Sequence, residues 1–400
     1  MVRKRDTDGI HRPHGSSPNV ALLRPRRGKY DGPIDPRHHP STGRARTRDL
    51  GIAIGTLPTG AENAITDVPG VRVGHTTLIE GDDVRTGVTV IQPHEASPWY
   101  EPVFAGAHRL NGNGELTGLE WIRESGMLCS PIALTNTHSV GVVRDALISA
   151  EIASRTDERE FWSLPVVGET WDGLLNDING MHVRPEHVAS ALASASDGPV
   201  AEGNVGGGTG MICHGFKGGI GTASRIVEGA GGTIVGVLVQ ANHGRRERLR
   251  VNGIAVGEAI PVSDVPDPYG RVPPGAGSII AIVATNAALL PVQCERLAQR
   301  AGLGVARVGG VGEHSSGDLF LAFASGNRGL PSADVDADAP LTIPVQMLAN
   351  NYITALFDAV VEATEEAILN ALCAAETLTG ANGTAFELPL ERLQELASSS

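Results

Sequence analysis

Cysteine is scarce in this chain: Cys129, Cys213, Cys294 and Cys373 stand far apart, with no CxxC pair. That spacing excludes a disulfide framework and a cysteine-rich zinc module, and it fits buried thiols in a reducing compartment. Long apolar runs are missing as well. Nothing approaches the ~18 residues of a membrane helix, and the basic start "MVRKR" leads into no apolar signal core. The expectation is a cytoplasmic protein that does not engage a membrane. Familiar site patterns are also absent. "GNVGGGTGM" (203–211) is rich in glycine but matches neither GxGxxG nor GxxxxGK[ST], so it reads as a tight backbone passage. There is no HExxH. His75, His138, His214, His243 and His314 each sit among small turn residues and read as hydrogen-bonded turn histidines, not ligands. No GxSxG elbow marks a Ser-His-Asp hydrolase. No metal and no cofactor are expected.

What is present is ample for a core. The chain has 400 residues, 41% apolar and 19% charged, with 51 glycines that imply many tight turns. The formal charge is −13, unevenly spread: residues 1–50 hold 12 basic and 5 acidic residues, about +7, which leaves about −20 for the rest. So acidic a body argues against a nucleic-acid partner. Residues 1–50 lack periodicity and read as a disordered basic leader, with 51–400 as one catalytic domain. Strands are predicted at 64–78, 87–93, 130–137, 164–170, 233–242, 278–286 and 318–325. Helices are predicted at 115–125, 143–154, 185–194, 289–301 and 350–380. The last carries Leu356, Val360, Ala363, Ala367 and Leu372 near helical spacing, acidic residues on its other face, and Gly380 as a stop. Apolar strands mixed with helices imply a layered α/β body. Residues 256–277 read as a long exposed loop that runs into Ser278.

That junction, "PPGAGSIIAIVATNA" (273–287), is the point of chemical interest. Ser278 follows small or stiff residues and opens a β-branched run that reads as a buried strand. Local turn chemistry alone can place a serine there. If the Gly277–Ser278 bond is broken by the serine's own hydroxyl, however, Ser278 gains a free α-amine beside Oγ. An α-amine has a pKa of about 8 and can take the hydroxyl's proton, so one residue supplies nucleophile and base. Ser316 and Asp318 in "SSGDLFLAFAS" stand two apart at the start of a strand and can share one side. They can orient such an amine, or they can be a turn serine and a capping aspartate.

Eight blocks in order, "TDVPGVRVGHTTL", "GAHRLNGNGELTG", "LTNTHSVG", "VVGETWDGLLNDING", "EGNVGGGTGM", "VGVLVQANHG", "GSIIAIVATNAAL" and "SSGDLFLAFAS", cover about residues 60–380. Together they resemble the self-processing L-aminopeptidase/D-amidase-esterase and β-aminopeptidase family. The resemblance implies an αββα four-layer sandwich, like Ntn hydrolases but with different strand connectivity. It implies cleavage between Gly277 and Ser278, Ser278 as nucleophile, and Ser316 and Asp318 as the contacts of its amine. Asn242 takes the place of the oxyanion-hole amide, a donor aimed at developing negative charge. Assembly of the cleaved α/β pairs into a homo-oligomer is implied too. Substrates are then short peptides, amides or esters with a free amine, met by an acidic residue for which Glu169 and Asp172 are candidates. Trp171 stands where familiar members have a tyrosine. An indole donates one hydrogen bond and accepts none, so it shapes the pocket rather than shuttling protons. Two other readings remain open at this point: an acyltransferase of the same fold, and a binding scaffold without catalysis.

Overall fold

The computed structural model describes residues 43–157, 160–270, 277–332 and 340–399. Their strands are β1 (Arg72–Glu80), β2 (Val84–Gln92), β3 (Val103–Gly112), β4 (Met127–Leu128), β5 (Ile132–Asn136), β6 (Val166–Thr170), β7 (Ile212–Cys213), β8 (Phe216–Lys217), β9 (Gly219–Val227), β10 (Thr233–Asn242), β11 (Gly277–Thr285), β12 (Ser316–Ala324), β13 (Leu378–Gly380) and β14 (Gly383–Ala385). The helices are α1 (Leu119–Ser125), α2 (Val140–Ser154), α3 (Pro185–Ala193), α4 (Val256–Ala259), α5 (Pro291–Arg307), α6 (Ile353–Ala374) and α7 (Leu390–Ser398).

Alternation along each strand decides the layering. In β11, Ile280, Ile282 and Ala284 point one way, and Ile279, Ala281 and Val283 the other. The first set joins Leu321 and Phe323 of β12 and Ile91 and Leu134 of the opposite sheet in one core. The second packs with Leu297 of α5 and Leu356, Val360 and Ala367 of α6. Burial on both faces is why β11 reads as an unbroken apolar run. On the far side, Val88, Val90 and Ala133 pack under Val143 and Leu147 of α2 and Val188 of α3. Two sheets therefore face each other, one ordered β1-β2-β5-β6 and one β4-β3-β12-β11-β10-β9, with helices outside both. This is the expected αββα sandwich.

The glycine-rich stretch behaves as expected for a close passage. A Cβ on Gly207 would lie 2.1 Å from Gln240 Oε1 and 2.7 Å from the Leu134 carbonyl.

Three expectations are corrected. The acidic face of α6 is not its solvent face: Glu362, Glu365 and Glu366 are buried. Arg225 reaches Glu362 at 3.0 Å and Glu366 at 2.6 Å, and Arg48 reaches Glu366 at 2.8 Å. The cause lies in residues 44–57, which cover this face. The backbone N–H groups of Thr56 and Leu57 both donate to the Glu362 carboxylate. Residues 44–50, read as the end of a disordered leader, thus pack on the body. Arg44 pairs with Glu387 at 2.7 Å, Arg46 with Glu202 at 3.0 Å, and Thr47 bonds Asn370. The rest of the expected leader lies outside the described residues. Second, α6 stops at Ala374, and Gly380 belongs to the β13–β14 hairpin instead. Third, the segment from 256 is not simply exposed. It opens with α4, whose Val256 is buried, and Arg246 donates to the Val265 carbonyl at 2.8 Å. Residues 271–276, the proline-rich approach, lie outside the described residues.

Candidate active site

Strand register assembles the site. The first residue of the apolar run, Ser278, stands opposite Asn242, the last residue of β10, in an antiparallel pair. On its other side, parallel β12 sets Ser278 beside Gly317, so Ser316 and Asp318 flank that rung. Ser278 is 4% exposed, and its Oγ accepts a hydrogen bond from the Gly317 N–H at 3.0 Å. Ser316 Oγ donates to Asp318 Oδ1 at 2.6 Å, and the Asp318 N–H donates to Asn111 Oδ1 at 2.9 Å. Burial pushes the Asp318 carboxyl up to about 6, offset by its bonds from Ser316 and the Ile279 N–H. A carboxyl so placed gains most from a cation beside it. Gly277 admits no side chain, since a Cβ there would lie 2.4 Å from the Asn242 carbonyl.

The amide of Asn242 is oriented from both ends. Its Oδ1 accepts from the Ile212 N–H at 2.7 Å, and its Nδ2 donates to the Trp171 carbonyl at 2.9 Å. One N–H then remains without a partner among the described residues. That leaves a fixed, desolvated donor of the type that stabilises an oxyanion.

A cleft of about 420 Å³ opens over Ser278, lined also by Gly277, Thr137, Glu169, Trp171 and Glu115. Glu169, at the end of β6, is 3% exposed. Its Oε1 accepts from the Glu115 N–H at 2.9 Å, and its Oε2 accepts from the Thr137 hydroxyl. Burial raises its carboxyl pKa, and these two donors pull it back. Asp172 is placed differently. Although only three residues on, it does not line the cleft and is 1% exposed, beside Gly210 and near Thr86 and Asn176. Of the two candidate acids, only Glu169 lines this cleft. β6 ends at Thr170, so the alternation that aims Glu169 into the cleft no longer governs Asp172. Trp171 is 37% exposed and lines the cleft wall. Sequence reasoning missed Thr137, Asn111 and the Gly317 N–H. The two side chains sit inside the quoted blocks "LTNTHSVG" and "GAHRLNGNGELTG", but nothing in their local pattern marks them as partners of Glu169 and Asp318.

A family model for peptidase family S58 matches residues 63–386. The chain belongs to peptidase family S58. This S58 member is 48% identical over 370 residues to the β-peptidyl aminopeptidase of Sphingosinicella microcystinivorans, across 88% of this chain and 91% of that one. Among solved structures, it is similar to a Burkholderia sp. β-aminopeptidase, with 56% identity, a TM-score of 0.84, and 88% and 98% of the two chains covered. It is also similar to the L-aminopeptidase D-Ala-esterase/amidase of Ochrobactrum anthropi, described as a variant of the Ntn hydrolase fold. There the identity is 41% and the TM-score 0.80, over 88% and 98% of the chains. The protein is a hydrolase, an aminopeptidase of the N-terminal-serine type, and the acyltransferase and binding-scaffold readings are not favoured. No helix among the described residues is long and apolar enough to cross a membrane.

Proposed function

We propose that the chain cuts itself between Gly277 and Ser278, and that the freed Ser278 is the nucleophile of a β-aminoacyl-preferring aminopeptidase. One observation carries the reading: Ser278, the second residue of β11, pairs with Asn242 on one side and lies between Ser316 and Asp318 of the next strand on the other. In maturation, Ser278 Oγ attacks the Gly277 carbonyl and the acyl group shifts from nitrogen to oxygen. Water then hydrolyses that ester, leaving a carboxylate on Gly277 and an α-amine on Ser278.

In turnover, the amine takes the Oγ proton as Oγ attacks the substrate carbonyl. The Asn242 N–H meets the negative charge that develops on the carbonyl oxygen. The new ammonium, held by Ser316 and Asp318, gives its proton to the departing amine, and water releases the acyl group. Glu169, braced by Thr137 and the Glu115 N–H, receives the substrate's ammonium, and Trp171 bounds the acyl side chain. The β-aminoacyl preference follows the names of the Sphingosinicella and Burkholderia relatives.

Intact-mass measurement tests the cut. Two separate chains, one ending at Gly277 and one beginning at Ser278, are expected from the wild type, and one uncut, inactive chain from Ser278→Ala. An uncut wild type with full activity ends the mechanism. Rate should climb as pH approaches about 8, where an α-amine loses its proton. A matched panel of β- and L-α-aminoacyl amides decides the substrate class, and equal kcat/KM on both removes the β preference. Assembly of cleaved pairs into a homo-oligomer is part of the same reading, and a solution mass equal to one pair overturns it.

A further inference from the structure

Behind the Asn242 amide lies a cluster that the reaction does not use. Cys213 ends β7, His214 begins the two-residue turn to β8, and His243 follows Asn242 at the end of β10. Read along the sequence, the two histidines are separate turn residues. In the fold their rings meet edge to face, with centroids 5.2 Å apart. Cys213 Sγ lies 3.8 Å from His243 Nδ1, and one donor atom from each of the three residues falls within 4.8 Å of the others. All three side chains are buried.

The hydrogen bonding points to a missing occupant. His214 Nδ1 lies 3.0 Å from the Arg245 carbonyl, which can only accept, so Nδ1 carries the ring proton. Its Nε2 therefore presents a lone pair, buried and without a partner. A ring proton given to a backbone carbonyl, with the other nitrogen free, is the usual arrangement of a metal-ligating histidine. His243 Nε2 is likewise buried and unpartnered. The His214 nitrogen is costly to leave orphaned unless something fills the space beside it, and His243 turns its Nδ1 toward the same cysteine. The turn holds His214 in the left-handed region, at φ +50°. Neighbouring cations do not close the site. Lys217 spends its ammonium on the carbonyls of Gly208, Met211 and Gly218, and Arg246 donates to those of His214 and Gly215.

We infer that Cys213, His214 and His243 form a metal site for a thiophilic ion of the zinc(II) class. Tetrahedral zinc, with bonds of about 2.3 Å to sulfur and 2.0 Å to nitrogen, sets donor atoms about 3.5 Å apart; Cys213 Sγ and His243 Nδ1 stand at 3.8 Å, and all three donors fall within 4.8 Å. As the Cys213 Sγ–metal bond forms, the thiol proton leaves to solvent and the imidazoles give lone pairs; nothing is oxidised or reduced. The ion ties β7 to the end of β10. Ile212, whose N–H holds one end of the Asn242 amide, and His243, the next residue in the chain, are then fixed by it. Its role is to hold that amide, not to activate substrate.

Metal content of full-length protein tests this. Protein expressed in zinc-supplemented medium and dialysed exhaustively should retain one zinc per chain. Cys213→Ser and His243→Gln should each lower retention by about tenfold or more. Cobalt(II) in place of zinc should give a near-ultraviolet thiolate-to-metal charge-transfer band that Cys213→Ser abolishes. A wild type that emerges from dialysis free of metal overturns the site, whatever the variants do. So does a cobalt-loaded protein without the thiolate band. These readouts need no turnover, so they stand apart from the fate of the Ser278 mechanism.

Discussion

Two carboxyls three residues apart show how the same side chain is put to different uses. Glu169 keeps two donors and a face on the cleft. Replacing it with glutamine removes the charge but keeps the shape, so KM for aminoacyl amides should rise about 10- to 100-fold, the worth of a charged hydrogen bond. The check is steady-state kinetics, with burst or acylation rates on a good ester little changed. Asp172 is sealed away, and burial raises it to about 7. In the unfolded chain it titrates near 3.9. Below that value it is protonated in both states, so it adds no pH dependence. Between about pH 4 and 7 the unfolded state ionises first, so stability falls as pH rises, and it stays at the lower level above 7. Asp172→Asn in the uncut Ser278→Ala background should therefore gain stability over its parent as pH climbs through that window. Urea unfolding at several pH values measures it; a constant difference across the window removes Asp172 as the cause. Sequence could nominate both acids but not choose between them, because the strand end at Thr170 decides which one faces the cleft.

At the scale of elements, what was legible followed apolar pattern. β10, β11 and β12 are buried on both faces and were located within two residues, so Ser278, Ser316 and Asp318 could be nominated at their ends, whereas Asn242 was nominated by the family resemblance alone. β3 and β9 were not found. β9, "GIGTASRIV", is built from small and polar residues that lie flat beneath α6, a Gly221 Cβ being 2.0 Å from the Ala367 carbonyl. Such a strand is selected by close approach, which leaves no hydrophobic signature. The acidic stripe of α6 could be seen as a separate face but its partners could not, because they come from far away: Arg225 in β9 and Arg48 some 318 positions earlier. The two states of that pairing differ sharply in cost. Glu366→Ala leaves the Arg225 guanidinium buried beside one remaining acid, and breaking a buried pair from one side costs about 3–5 kcal/mol. A fall in Tm well beyond that of a surface Glu→Ala control, such as Glu376→Ala, is the expected result; matching falls would mean that the network adds little.

For the molecule as a whole, the same arginines redraw where the fold begins. A chain started at Gly43 and one started at Gly51 differ only in the segment that carries Arg44, Arg46, Thr47 and Arg48. The shorter chain should unfold at a clearly lower urea midpoint, and equal midpoints would make that segment dispensable. A cut before Ser278 acts differently, because β11 is an inner strand of the six-stranded sheet, held by β10 on one edge and β12 on the other. The piece from 278 onward contributes two central strands and both α5 and α6. Cleavage there releases no part of the fold, but it changes the order of the unfolding reaction. The uncut protein folds by a first-order process in one chain. The cut protein must find its other half by diffusion, so its midpoint should rise with protein concentration while that of Ser278→Ala does not. Once severed, the enzyme keeps its shape through a history that its two pieces, mixed afresh at low concentration, cannot retrace.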